Sequence, residues 1–261
     1  MNPWRIYDEL IDGVDTELKV TSVLTGHHWC TVRCGERIGM AMTVSGGGPR
    51  IHESMDYTGM SLRDAASLIK SWHYPEASIG MAALNCFYNT PDRIRAMGGF
   101  EGMDLNALTP EKRIEKEAFF SNRAALRGMK VCVIGHFPDL ERQLKARCEL
   151  TILERAPSGD DLPDPACEYI LPSQDAVFIT GITLTNKTLP RLLALCSSKA
   201  KVFLVGPSVC FAPLWFRWNV DHLSGFAVLD GERLEEIVRA NGQREIFQAG
   251  VMVDVIRRKD E

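Results

Sequence analysis

KVCVIGHFP, residues 130–138, decides how the rest of the chain is read. Val131, Val133 and Ile134 form a short apolar run of the kind a buried parallel strand carries. Gly135 ends the run. Pro138 then opens a helical segment, where its missing N–H leaves no bond unmade. The segment reads as strand, tight turn, helix start. In an open α/β sheet, ligands bind just beyond the carboxyl ends of such strands.

The alternation continues toward the C-terminus. Strands are expected at 131–134, 150–153, 176–180, 202–205 and 226–229, with a last one at 251–256. Helices or helical turns are expected at 138–147, 164–170, 188–197, 212–217 and 231–241. Such an order implies right-handed βαβ units and a mostly parallel sheet with helices on both faces. Thr188 is expected to cap the helix that follows it, with Pro190 in the first turn. Upstream, 111–126 reads as a helix, and 93–112, punctuated by Gly98-Gly99, Gly102 and Thr109-Pro110, reads as a linker.

Residues 1–92 read as a separate α+β unit. Trp4, Ile6, Tyr7, Leu10, Ile11 and Val14 recur at near-helical spacing. Strands are expected around 18–24, 29–34 and 38–44, with a hairpin turn at Cys34-Gly35-Glu36 and a flexible loop at 45–49. Ser61 and Asp64 have capping-box spacing, and Leu62, Ala65, Ala66, Ile69 and Trp72 make an apolar stripe behind them. Pro75 starts a second helix, apolar nearly all round and so expected to be buried, in which Ser78, Asn85 and Asn89 share one stripe. The fold expected is α/β, as an N-terminal α+β domain over 1–92, a linker over 93–112 and an α/β domain over 113–261.

Composition narrows the function classes. Of 261 residues, 45% are hydrophobic and 25% charged, which suits an ordinary globular core. A net charge of −4 gives no whole-protein electrostatic case for nucleic acid. The Arg257-Arg258-Lys259 cluster is followed at once by Asp260 and Glu261 and reads as a solvated tail. No apolar stretch reaches the ~18 residues of a membrane span, and acids early in the N-terminus argue against a secretory signal. The expectation is a cytoplasmic protein whose 8 cysteines are reduced thiols. Trp215, Phe216 and Trp218 suit either a homo-oligomeric contact or core packing.

Four strand ends carry the candidate site: Gly135-His136, Glu154-Arg155, Thr180-Gly181 and Gly206-Pro207-Ser208. A parallel sheet puts all four on one edge, where glycines admit close backbone approach and helix N-termini offer free N–H groups. His136, at a strand end, is the candidate acid/base or metal ligand. Thr183 and Asn186, in the polar run TGITLTN, are candidate ligand contacts through hydrogen bonds. Ser45, Gly46 and Gly47 are expected to reach over from the first domain. Glu154 lies near the place of a ribose-binding acid, yet the turn after Gly135 lacks the G-x-G-x-x-G glycines, and Pro138 removes an N–H. His27, His28, Cys30 and Cys34 do not have a recognised zinc spacing. No G-x-S-x-G, H-E-x-x-H or P-loop lysine pattern occurs.

Several stretches resemble one family. VIGHFP, ILER, EYILP, ITGITLTNKTL and LVGPSVCFAPLWF are similar to the putative heavy-metal chelation family of prokaryotic proteins. GMAMTVSGGG, SLRDAASLIKSW and EASIGMAALNCFYN are similar to the domain that usually precedes it. The chain departs from the family pattern at Ser208-Val209-Cys210. The resemblance implies an enolase N-terminal-like domain joined to a Rossmann-like domain, with a site in the cleft between them. It implies metal handling but carries no reaction, and fold analogy supplies none.

The leading expectation is a small polar ligand bound between the domains, with the protein acting on a metal chelator or related compound. His136 is its proton donor or metal ligand, although no nucleophile–base pair accompanies it. The alternatives are a non-enzymatic metal or metal-chelate binder, holding a divalent metal directly through His and Cys side chains, and a nucleotide or S-adenosylmethionine binder.

Overall fold

The computed structural model describes residues 2–52, 56–105, 118–138 and 140–258. The N-terminal unit begins with helix α1 (Arg5–Asp12) and an antiparallel sheet of β1 (Ser22–Thr25), β2 (Trp29–Cys34) and β3 (Arg37–Met42). Cys34 pairs with Arg37, so Gly35 and Glu36 form a two-residue hairpin loop, with Gly35 at φ 58°. Helices α2 (Leu62–Ser67), α3 (Tyr74–Tyr88) and α4 (Pro91–Ala96) follow. Ser61 caps α2 by accepting from the Asp64 N–H, and its hydroxyl donates to the Asp64 carboxylate.

The C-terminal unit contains α5 (Ala118–Asn122), β4 (Lys130–Ile134), α6 (Leu140–Leu144), β5 (Glu149–Glu154), β6 (Leu162–Pro163), α7 (Cys167–Ile170) and β7 (Ala176–Thr180). It continues with α8 (Ile182–Thr185), α9 (Leu189–Leu195), β8 (Lys201–Val205), β9 (His222–Val228), α10 (Gly231–Arg239) and β10 (Gly250–Ile256). Its seven strands lie in the order β10-β9-β8-β7-β4-β5-β6, parallel except for β10, which runs antiparallel to β9. The mixed α/β, two-domain architecture read from the sequence is present.

Strand period and core agree residue by residue. Val131 and Val133 of β4, Phe178 of β7 and Phe203 of β8 pack on one face with Phe119, Leu140 and Leu144. Their neighbours Cys132, Ile134, Val177 and Leu204 face the other way. That second face is continuous with the core of the N-terminal unit, through Ile6, Leu84 and Phe87. Trp29 and Met40 also pack with Leu234 and Val238 of α10. The two units therefore bury one shared apolar surface.

Helix α3 is the joint. The polar stripe of Ser78, Asn85 and Asn89 is buried in it. Ser78 accepts from the Val44 N–H, and Asn85 donates to the carbonyls of Met40 and Ser208. Asn89 donates to the Val209 carbonyl and accepts from the Phe211 N–H. Tyr7 adds a hydrogen bond to the Leu184 carbonyl at 2.9 Å.

Several local expectations are corrected. Trp72 does not continue the stripe of α2. The helical run ends at Lys70, so helical spacing no longer applies, and Trp72 is 54% exposed. The first strand starts at Ser22 rather than near Leu18, with only a single bridge from Lys19 to Ser61 before it. The start of the expected linker over 93–112 is helical instead: its residues 93–96 belong to α4, which the Thr90 hydroxyl caps. The part of that linker over 106–112, and the first part of the expected 111–126 helix, over 111–117, lie outside the described residues; in the rest the helix ends at Asn122. Thr188 does not cap α9; its hydroxyl donates to Asn186 Oδ1 instead. Trp215 and Phe216 are buried in the core and Trp218 is half-buried against it.

Candidate functional site

The strand order creates a switch point. From β4 the chain moves outward to β5 and β6, then returns to β7 on the opposite side of β4. The connections leaving β4 and β7 therefore diverge, and a crevice opens beyond their carboxyl ends. A cavity of about 940 Å³ lies there. Gly135, His136, Phe137 and Pro138 line it after β4, Glu154 and Arg155 after β5, Thr180 after β7, and Gly206, Pro207 and Ser208 after β8. Thr183 of α8, and Asn186 and Lys187 in the turn after it, line it beyond β7. Trp29, Met42 and Val44 of the N-terminal unit close another side, and Arg244 and Phe247 a third.

His136, Asn186 and Ser208, far apart in the chain, thus line the same cavity. Four expected contacts are not among the lining residues. Gly181 is packed against the β8 turn, where an added Cβ meets the backbone of Val209 and Ser208 at 2.8–3.1 Å. Ser45, Gly46 and Gly47 are the other three, and the corner that precedes α3 holds the two glycines: the Gly46 carbonyl accepts from Tyr74 N–H, and Gly47 bridges to His73.

Most of the expected contacts already have structural partners. Glu154 accepts from the backbone N–H groups of His136 and Arg155, at 2.9 and 2.6 Å. Thr183 donates to the Thr180 carbonyl at 2.6 Å. Asn186 Oδ1 accepts from both the N–H and the hydroxyl of Thr188. Ser208 Oγ accepts from Met42 N–H at 2.9 Å, fastening β3 to the β8 turn. His136 is exposed, with Nδ1 3.0 Å from Asp161 Oδ2.

Gly206 holds φ 101°, a conformation L side chains rarely adopt, and its missing side chain faces Phe137 and Thr180. Gly206→Ala is expected to cost about 1–3 kcal/mol of stability from backbone strain. A urea midpoint unchanged from wild type contradicts that assignment.

The cationic residues were less legible. Arg155, Lys187, Arg191 and Arg244 line the cavity. Arg155 is paired with Asp164 at 2.9 Å, and Arg191 with Glu168. Lys187 has no carboxylate partner among the described residues. It sits in the turn between α8 and α9 with φ 68°, and its Nζ donates to the carbonyls of Ser71 and Thr185. Burial pushes its ammonium down to about 8. Nothing in Asn186-Lys187-Thr188 signals that burial, because the covering residues, Ser71, Trp72 and Tyr74, come from the other unit.

A protein-held metal ion fits this donor set poorly. Among the described residues no group of three His, Cys, Asp or Glu side chains converges on one point. The His136–Asp161 pair offers two donors. Cys30 and Cys86, pushed up to about 12 by burial, and Cys210, pushed well above its usual value by the same cause, stay thiols rather than the thiolates that bind metals. Among the described residues, no helix is long and apolar enough to cross a membrane.

Comparison with known proteins follows the same two-part division. Residues 118–257 match a family model described as "Putative heavy-metal chelation", and residues 7–88 match a second model with the same description. A solved structure of a protein of unknown function from the first of these families, from Desulfitobacterium hafniense, superposes with a TM-score of 0.86 at 36% identity, covering 97% of this chain and 98% of that one. A second, from Pyrococcus horikoshii, has a TM-score of 0.75 at 20% identity over 98% of this chain and 100% of that one, which speaks to the fold alone. An uncharacterised protein of Methanocaldococcus jannaschii is 31% identical over 110 residues, which span 40% of this chain and 42% of that relative's length.

Proposed function

The chain belongs to the putative heavy-metal chelation family, and from that premise we propose that its interdomain cavity binds a small polar organic ligand, a metal chelator or its metal chelate. One observation carries this reading. Residues from four strand ends and from the N-terminal unit close a single cavity of about 940 Å³, a volume suited to a small organic molecule rather than to a bare ion. Its wall mixes apolar side chains such as Met42, Val44 and Phe137 with polar groups at a few fixed points. The donor set supports a metal arriving inside its chelator, coordinated by the chelator's own atoms. His136, with Asp161 behind it, is the side chain here suited to exchange a proton with such a ligand.

Equilibrium dialysis of the intact protein against Ni²⁺ alone tests the choice between chelate and direct ligation. The expected result is no stoichiometric retention of the free ion. Stoichiometric retention that disappears in His136→Ala contradicts the reading and favours direct coordination by the protein.

A further inference from the structure

Two cations of the cavity, Lys187 and Arg244, have no carboxylate partner among the described residues; Arg244 is exposed to solvent, and Lys187 is half-buried. Lys187 Nζ carries three N–H donors, and two are taken by the Ser71 and Thr185 carbonyls. The same ammonium lies 5.8 Å from the Trp72 ring centroid and 5.6 Å from that of Tyr74. Two carbonyls and two rings from both units thus fix its position. The third donor remains, on a side chain that lines the cavity. A half-buried ammonium without a carboxylate is costly unless a ligand supplies the negative charge.

We propose that Lys187 is the anchor for an oxyanion, a carboxylate or a phosphate, of the molecule that occupies the interdomain cavity. This rests on the reading of that cavity as a ligand site and adds the ligand's charge class. Arg155 and Arg191 are already neutralised by Asp164 and Glu168, and Arg244 is exposed to water, which leaves the half-buried Lys187 as the place where an anion gains most. Tyr74 on α3 is the titratable side chain packed against it. One step away, Arg155 pairs with Asp164 and interacts with Tyr74, and Glu76 accepts from the Ser71 hydroxyl. Binding requires the charged ammonium, so affinity falls as pH rises through about 8.

The test is isothermal titration of the intact protein with citrate and, separately, with inorganic pyrophosphate, one unit below and one unit above that pH. At least one of the two is expected to bind the wild type, and which one binds separates carboxylate from phosphate. Lys187→Met, which keeps the alkyl stem, is expected to weaken binding roughly tenfold or more. Lys187→Arg is expected to keep binding and to abolish the loss of affinity at the higher pH, because a guanidinium stays charged. Binding of neither probe to the wild type, unchanged affinity in Lys187→Met, or a persisting pH dependence in Lys187→Arg overturns the proposal. Val44→Trp, which fills the cavity from the other unit, separates the two claims. If it blocks binding while Lys187→Met does not, the cavity remains a site and the anchor is wrong; if both variants bind like wild type, both readings fall.

Discussion

Replacing Asn89 by Leu is expected to cost about 2–5 kcal/mol of stability, because it strands buried backbone groups in the other unit. Asn89 is 4% exposed at the end of α3. Its amide donates to the Val209 carbonyl at 2.8 Å and accepts from the Phe211 N–H at 2.9 Å. Both partners lie in the chain leaving β8, buried within the core. A leucine fills a similar volume and satisfies neither group, so the penalty is desolvation without a bond rather than a cavity. Urea denaturation measures it. A loss below about 1 kcal/mol shows that water or a backbone shift replaces the amide, and that α3 is not the joint described here.

Glu76 carries the second large expectation. It is fully buried, and its carboxylate accepts from the N–H groups of Ile51 and His52 and from the Ser71 hydroxyl. Arg50 approaches to 3.5 Å. Burial alone pushes this carboxyl up, but those donors more than offset it and hold it below its ordinary value of 4.5. Glu76→Gln keeps one acceptor oxygen and turns an NH₂ toward donors, and about 3 kcal/mol of stability should be lost. The sign with pH follows from the lowered value. The folded state favours the charged form, so this stability is present above 4.5 and disappears as pH falls through the lower folded value. The gap between wild type and Glu76→Gln should therefore close on acidification; a gap that widens contradicts the assignment.

Much of the sheet is visible in the residues themselves. Period-2 runs such as Val131, Val133 against Cys132, Ile134 report a strand covered on both faces, and the structure places those sets in different cores. The strand-end rule is equally local, which is why the sequence alone groups Gly135, His136, Thr180 and Ser208, all of which line the cavity. Trp72 leaves the stripe for a definable reason: a helical stripe predicts a face only while the backbone stays helical, and Ser71 is already extended, with ψ 137°. Lys187 was invisible because a charged side chain in a polar turn gives no sign of being covered by Trp72 and Tyr74, more than a hundred residues away. Asn85 and Asn89 showed as a polar stripe on an apolar helix, but their partners, Ser208, Val209 and Phe211, belong to the facing unit and leave no mark in the helix.

The central claim is that the space between the two units is where this protein holds its ligand. Native mass spectrometry of freshly purified protein, wild type beside Val44→Trp, tests it most directly. The account predicts a small organic mass retained by the wild type and absent from the filled variant. Equal retention by both proteins, or a bare metal ion as the retained mass, contradicts it.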